Sequence, residues 1–353
     1  MSGKYNVIGV MSGTSLDGLD IAYCEFTLKG KKWNYKIVKA ETVVYHKEGK
    51  DKLRNAHLAS AEELCELHTD FGLFIGEKVL RFIKKNKIKN LDLISSHGHT
   101  VFHQPLNHFT LQIGDGATIA AVTGIKTVCD FRSTDVALGG QGAPLVPVGD
   151  ELLFADYDAC LNIGGIANIS FKHKGKRVAF DICPANLLFN HLANQLGHEY
   201  DKGGKLAASG KFNDALLDRF NSLSYYKNYK SKSLGRENVE SGFISILDKI
   251  KMPSKDKLAT ASEHAAFQTA RVLNNFKIKN VLVTGGGAYN KDLLERISAY
   301  TDCKLHVTDD KTIQFKEALI FAFLGVLRVR NEVNALKSVT GAKRDSCGGA
   351  IFG

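Results

Sequence analysis

Three glycine-bearing turns carry the residue types that could do chemistry in this chain: Ser12-Gly13-Thr14-Ser15-Leu16-Asp17-Gly18, Asn162-Ile163-Gly164-Gly165 and Thr284-Gly285-Gly286-Gly287. Each follows a β-like apolar run, and glycine lets backbone amides face an anion without a Cβ in the way. The first turn adds hydroxyls, which suit phosphate oxygens, and a carboxylate. Any one of the three would also serve as a plain tight turn. His97, His99 and His103 form a further cluster, but no Cys or carboxylate stands at ligand spacing beside them, which argues against zinc. Neither a Gly-x-x-x-x-Gly-Lys-Ser/Thr sequence nor a strand-linked Gly-x-Gly-x-x-Gly occurs, so neither a P-loop nor a classical dinucleotide site is supported.

The elements that must present these turns can be read from periodicity. Tyr5 to Met11 and Leu19 to Leu28 read as a hairpin around the first turn, and Ala159 to Ile163 with Ile169 to Lys172 mirror it around the second. Asn280 to Thr284 reads as a buried strand entering the third. Ser60 with Glu63 predicts a capping box at the head of a helix whose apolar face runs from Leu64 to Phe82, with Lys84, Lys85 and Lys87 at its negative pole. A short strand, Leu91 to Ile94, follows, and Ala259 to Phe276 reads as a second helix. The last helix is expected over Glu317 to Arg328, where Ala318, Ala322, Gly325 and Val329 form a small-residue stripe suited to close approach between two domains.

The chain's 353 residues, 44% hydrophobic and 24% charged, fit two domains. Lys and Arg number 47 against 37 Asp and Glu, a net charge of +10. That excess admits a nucleic-acid surface, an anion-binding site or a solvated lysine-rich exterior. No nucleic-acid motif or aromatic stacking pattern supports the first. Much of the charge lies in Lys29 to Lys36, Lys84 to Lys89 and Lys227 to Lys232, away from the three turns, which favours the solvated exterior. Seven cysteines without a two-residue spacing read as small buried apolar groups in a reducing compartment. Met1 to Gly13 lacks a leader pattern and Ala318 to Leu327 is too short to span a bilayer, so a cytoplasmic protein is expected, with a homodimer possible.

The order of the turns, followed by a small-residue helix, is similar to the plan of the actin-like, hexokinase-like ATPases. This implies an α/β, two-lobed actin-like (ribonuclease H-like) fold with mixed five-stranded sheets flanked by helices, the two hairpin loops pinching the phosphates from opposite sides of a cleft. Domain I is expected at 1–148 plus 316–353 and domain II at 149–315. A closer resemblance lies in Gly9 to Gly18, in Asp130-Phe131-Arg132 through Pro147, in Asn162 to Asn168 and in Leu111-Gln112-Ile113-Gly114-Asp115. It continues through the Gly285 triplet, Glu317-Ala318-Leu319 and Ser338-Val339-Thr340-Gly341-Ala342. Over nearly its whole length the chain resembles the anhydro-N-acetylmuramic acid kinases.

The resemblance implies an ATP- and Mg²⁺-dependent enzyme of peptidoglycan recycling. Such an enzyme opens the 1,6-anhydro bridge of anhydro-N-acetylmuramic acid and phosphorylates O6, giving N-acetylmuramic acid 6-phosphate and ADP. It also assigns candidates. Asp181 is placed as the catalytic base and a substrate contact, with an Asp capping the helix after Pro184 as the alternative. The family pattern there is Asp-Thr-Gly-Pro-Gly-Asn, and this chain reads Asp181-Ile182-Cys183-Pro184-Ala185-Asn186. Gly13, Thr14, Ser15, Leu16, Asp17, Gly18, Leu19, Asp20, Asn162, Gly164, Gly165, Gly285, Gly286, Gly287 and Asn290 are the ATP-binding candidates. Asp17 is the expected Mg²⁺ partner, through water, unless it merely forms an Asx-turn. His97, Arg132 and Glu317 are the other sugar-binding candidates, Arg132 for its planar fork. A surface ion pair would equally explain Arg132, and the charge at a helix N-terminus would explain Glu317. His99 stands where a Gln is usual in the family. A catalytically silent, nucleotide-binding regulator of the same fold is the rival reading.

Overall fold

The structure is a computed structural model that describes residues 3–227 and 232–353. Met1 and Ser2 of the N-terminal stretch, and residues 228–231 of the basic run Lys227 to Lys232, lie outside the described residues. The described strands are β1 (Gly3–Ser12), β2 (Gly18–Lys29), β3 (Lys32–Val44), β4 (Leu93–Gln104), β5 (Phe109–Ile113), β6 (Thr127–Cys129), β7 (Ala159–Ile163), β8 (Ile166–His173), β9 (Lys176–Pro184), β10 (Asn280–Thr284), β11 (Lys304–Val307) and β12 (Ala350–Phe352). The chain divides into two compact units, Met1–Leu153 with Phe315–Gly353, and Phe154–Gln314.

The first unit holds a seven-stranded sheet in the order β12-β6-β4-β1-β2-β3, with β5 added to β4. β1 and β2, and β2 and β3, are antiparallel, whereas β1, β4 and β6 run parallel. The second unit holds a five-stranded sheet, β11-β10-β7-β8-β9, in which β7, β8 and β9 are antiparallel and β7, β10 and β11 parallel. Strand order and direction in β6-β4-β1-β2-β3 and β11-β10-β7-β8-β9 are the same. This is the repeated ribonuclease H-like sheet of the actin-like ATPases. The first sheet exceeds the expected five strands for a local reason. β4 runs twelve residues, well past the Leu91 to Ile94 read from the sequence, and β5 folds back on its extension while β12 pairs with the short β6.

β1 is buried on both faces at its C-terminal half, where Val7, Ile8 and Val10 have no exposed surface. Burial of each such side chain contributes roughly 1.5–3 kcal/mol. Ile8 and Val10 share one cluster with Phe71, Ile75, Val79 and Phe82 of the helix Ala61–Asn86. That helix opens as the capping box requires: Ser60 Oγ accepts from Glu63 N at 3.3 Å, and Ser60 N donates to Glu63 Oε2 at 2.7 Å. Toward the helix Asp310–Val329, a Cβ on Gly9 would lie 2.0 Å from the Ala318 carbonyl oxygen and 2.8 Å from Ala322 Cβ, and one on Gly325 would lie 2.5 Å from Ser95 Oγ of β4. The small-residue stripe is therefore used inside the first unit, to seat this helix on β1 and β4. In the second unit, the helix Ser254–Asn275 is buried on nearly every side and packs with the helix Asn186–Gln195 around Leu161, Ile163, Ile169, Val281 and Val283.

Of the seven free cysteines, four are buried, Cys129 and Cys347 are half-buried and Cys65 is exposed. Among the described residues no helix is long and apolar enough to cross a membrane.

Candidate functional site

The β1–β2 turn exposes Thr14, Ser15 and Asp17, while Leu16 turns inward at φ 60° and Leu16 N donates to the Gly13 carbonyl at 3.2 Å. Gly18 and Leu19 are buried at the start of β2, where a Cβ on Gly18 would fall 2.7 Å from the Val43 carbonyl. The turn's root is fixed by side chains that carry no motif. Tyr45 donates its hydroxyl proton to Ser12 Oγ at 2.7 Å, and Ser12 Oγ lies 3.0 Å from His99 Nδ1. Ser12 thus donates to His99, whose pKa is lowered chiefly by burial and which stays neutral. Asp20 accepts from Thr42 Oγ1 at 2.6 Å, and burial, opposed by that bond and reinforced by Asp17, raises its pKa.

A second group in the same unit gathers His97, Arg132, Glu317 and Asp20. Arg132 donates from Nε to His97 Nε2 at 3.0 Å and from Nη1 to the Gly142 carbonyl at 2.6 Å, and lies over the Phe321 ring at 5.8 Å. Nη2 has no hydrogen bond among the described residues. His97 Nδ1 lies 3.0 Å from the Gly98 carbonyl and so donates to it. Burial, then Arg132, holds the His97 pKa well below its usual value. Both nitrogens of His97 are engaged, so the ring aims Arg132 rather than offering a bond of its own, which revises its expected direct sugar contact. Burial lowers the Arg132 pKa to about 10, opposed by Glu317. The Glu317 pKa is raised by desolvation first, with Arg132 and Lys316 opposing and Asp20 reinforcing. Glu317 nevertheless keeps exposed surface, and accessible surface decides whether a ligand can reach it. Lys316 is tied to Asp150 at 2.8 Å. Glu317 lies within the helix Asp310–Val329, just past its break at Phe315.

Two distant motifs meet behind Arg132. Buried Asp135 accepts from Gly142 N at 2.8 Å and from Thr340 Oγ1 at 2.7 Å, while Gln141 N donates to the Thr340 carbonyl at 2.8 Å. The runs 137–147 and 338–342 together hold the Gly142 carbonyl that receives Arg132.

In the second unit the candidates fall in one row. Thr284 pairs with Asn162, Asn162 with Asn168 and Asn168 with Asp181, across β10, β7, β8 and β9. Directly paired residues project from the same sheet face. The turn between β7 and β8 is Gly164-Gly165 alone. Its carbonyls are taken by the amides of Asn186 at 3.1 Å, Ala185 at 2.9 Å and Leu187 at 3.1 Å. The third turn closes on the second. At φ 80°, Gly285 could carry a Cβ only 2.6 Å from Asn162 Oδ1, and one on Gly287 would lie 2.2 Å from Ile163 Cγ2, while Gly286 faces Asn186. Asn290 is buried and caps the helix Lys291–Ala299, its Oδ1 accepting from Leu293 N at 3.0 Å. That bond gives Asn290 a structural task at the start of this helix.

Asp181 does not cap the helix Asn186–Gln195, which starts at Ala185 without a side-chain cap. Its Oδ2 accepts from Leu234 N at 2.8 Å and from Ser233 Oγ at 3.3 Å, and Oδ1 has no hydrogen bond among the described residues. Burial raises its pKa, opposed by those two donors and by Lys232. Ile182, Cys183 and Ala185, the departures from the family pattern, are all buried in the core of this unit. Lys232 corrects a second expectation: the end of the basic run is not remote from the candidate loops, since Asp181 N donates to the Lys232 carbonyl at 3.0 Å. Nothing in the local sequence distinguishes Lys232 from Lys227 and Lys230 before it.

Residues 5–353 match the family described as anhydro-N-acetylmuramic acid kinase. A protein of that name from Caldanaerobacter subterraneus subsp. tengcongensis is 33% identical over 98% of this chain and 96% of its own. One from Mannheimia succiniciproducens is 37% identical over 99% of each. Among solved structures, the activator of the 2-hydroxyisocaproyl-CoA dehydratase from Clostridium difficile with bound ADPNP aligns over 92% of this chain and 97% of its own, with 13% identity and a TM-score of 0.43. A match across almost every residue, carried by relatives this similar over their full lengths, means that the chain belongs to the anhydro-N-acetylmuramic acid kinase family of phosphotransferases.

Proposed function

We propose that the protein opens the 1,6-anhydro ring of anhydro-N-acetylmuramic acid with water and phosphorylates O6 from ATP, giving N-acetylmuramic acid 6-phosphate and ADP. The observation that carries this reading is Asp181, a partly buried carboxylate with one oxygen fixed by two donors and the other unengaged, in register with Asn162 beside a glycine turn. In the proposed step, Asp181 takes a proton from water as the water oxygen bonds to C1. The C1–O6 bond breaks with its electron pair going to O6, and O6 displaces ADP from the γ-phosphorus.

Exposed Thr14 and Ser15 with the amides of the Gly13–Gly18 turn, and Asn162 with Gly164 and Gly165, are the phosphate donors in this reading; Gly285 to Gly287 take the adenosine side. Asp17 is exposed and acts electrostatically on Asp20, and two such hard oxygen donors suit a Mg²⁺ ion held through waters and phosphate oxygens. Bound Mg²⁺ would neutralise charge developing on the β- and γ-phosphate oxygens. Arg132, with Nη2 unengaged and its other nitrogens fixed, is placed to receive the lactyl carboxylate as a planar donor.

The test is ADP release by the pure protein with ATP, Mg²⁺ and anhydro-N-acetylmuramic acid, measured against a kinase of known activity. ADP formation that depends on the sugar supports the proposal. ATP binding without sugar-dependent turnover would instead support a nucleotide-binding regulator.

A further inference from the structure

The carboxylate of Asp181 receives no donor from its own loop. Both of its donors come from residues some fifty positions later, Ser233 and Leu234. The same stretch pins the backbone, since Asp181 N donates to the Lys232 carbonyl at 3.0 Å and Tyr225 donates its hydroxyl proton to the Asp181 carbonyl at 2.6 Å. Lys232 is itself held: Nζ donates to the Tyr225 carbonyl at 3.0 Å and lies 4.0 Å from the centre of the Tyr225 ring.

The frame is anchored in the core. Tyr226, next to Tyr225, donates to Nε2 of fully buried His264 at 2.8 Å. His264 Nδ1 donates to Asn221 Oδ1 at 2.8 Å, the oxygen that also accepts from Gln268 Nε2 at 2.8 Å. Burial lowers the His264 pKa to about 3, so the ring stays neutral and keeps this tautomer.

We infer that Tyr225, Lys232 and Ser233 are positioning residues for Asp181: they fix Oδ2 and the local backbone so that Oδ1 points to the reacting water. The inference rests on the proposed role of Asp181 as base. The groups that act on Asp181 or its cradle are few. Lys232 and the Ser233 and Leu234 donors lower its pKa. Cys183, pushed up to about 12 by burial, and Tyr225, raised by burial, remain neutral. Burial lowers Lys232 itself to about 8, with Cys183 and Asp181 opposing and Arg271 reinforcing, so it is charged at neutral pH.

The experiment follows the ¹³C signal of the Asp181 carboxyl through a pH titration of the full chain, identified by its loss in Asp181→Asn, together with kcat against pH. Lys232→Met is expected to raise the midpoint and to move the acid limb of kcat upward equally, with little change in the KM for ATP. Lys232→Arg, which keeps the charge, is expected to restore both. Ser233→Ala, which removes a donor to Oδ2, should give the larger rise, of about one unit, and it carries the test if Lys232→Met does not fold. Midpoints unmoved in the variants that fold would overturn the inference. A moved midpoint with an unmoved kcat limb would leave the cradle standing and overturn the base assignment instead.

Discussion

The two units place the same five-strand order behind two different hairpin turns. In the first, the turn after β1 is long, presents hydroxyls and a carboxylate, and is tied at its root by Tyr45 and His99 through Ser12. In the second, the turn after β7 is two glycines whose carbonyls are closed off by the amides of residues 185–187. A shared topology delivers a turn to the same strand end in both, but what closes the turn decides its chemistry. In the proposed reading the first unit supplies side-chain donors and gathers its charge from Arg132 and Glu317, far along the chain. The second supplies backbone donors and the Asp181 carboxylate, which is paired through Asn168 with the turn's strand.

This contrast can be broken at its strongest point first. Asp181→Asn removes the second unit's only proposed base and is expected to lower kcat by about 10²–10⁴-fold, with the KM for ATP changed little, in a steady-state ADP assay. The counterpart in the first unit is Arg132→Met. Loss of a charged hydrogen bond of about 1.5–3 kcal/mol lowers kcat/KM for the sugar roughly 10- to 150-fold, and Arg132→Lys should recover little because the fork to His97 and Gly142 is lost.

Gly285→Ala forces a side chain into φ 80° against Asn162 and should cost about 1–3 kcal/mol of stability, read as a lower urea midpoint. The pH dependence comes next. His97 and His264 have folded pKa values below the unfolded value near 6.5, so the unfolded chain binds more protons and stability falls as pH drops through 6.5. Each contributes at most about 1.4 kcal/mol per pH unit, and His97→Gln should flatten the first unit's share in urea unfolding at pH 7 and pH 5.

Local signals explain how much of this was legible. Asn280 to Thr284 and Ala159 to Ile163 read as strands because their apolar runs end at turn residues, and Ser60 with Glu63 announced its helix. The glycine turns were readable as short contiguous motifs at the ends of apolar runs, and Asp181 was reached through the family resemblance. The row from Thr284 to Asp181 was not, since it depends on register between four strands. Lys232 was hidden for a different reason. In the proposed cradle it lies over Tyr225 beside a partly buried carboxylate, and a lysine in a lysine-rich run gives no local sign of that. The small-residue stripe was visible, but the surface it packs on became known only when Gly9 and Ser95 were seen beneath it.

The central claim is that water activated by Asp181 attacks C1 while the former bridge oxygen takes the phosphate. Turnover in H₂¹⁸O, trapped at early times with borohydride to prevent exchange at the anomeric carbon, tests it directly. The account predicts one ¹⁸O in the sugar, at C1, and none in the transferred phosphate. Label in the phosphate, or a phosphorylated sugar without label, would contradict it.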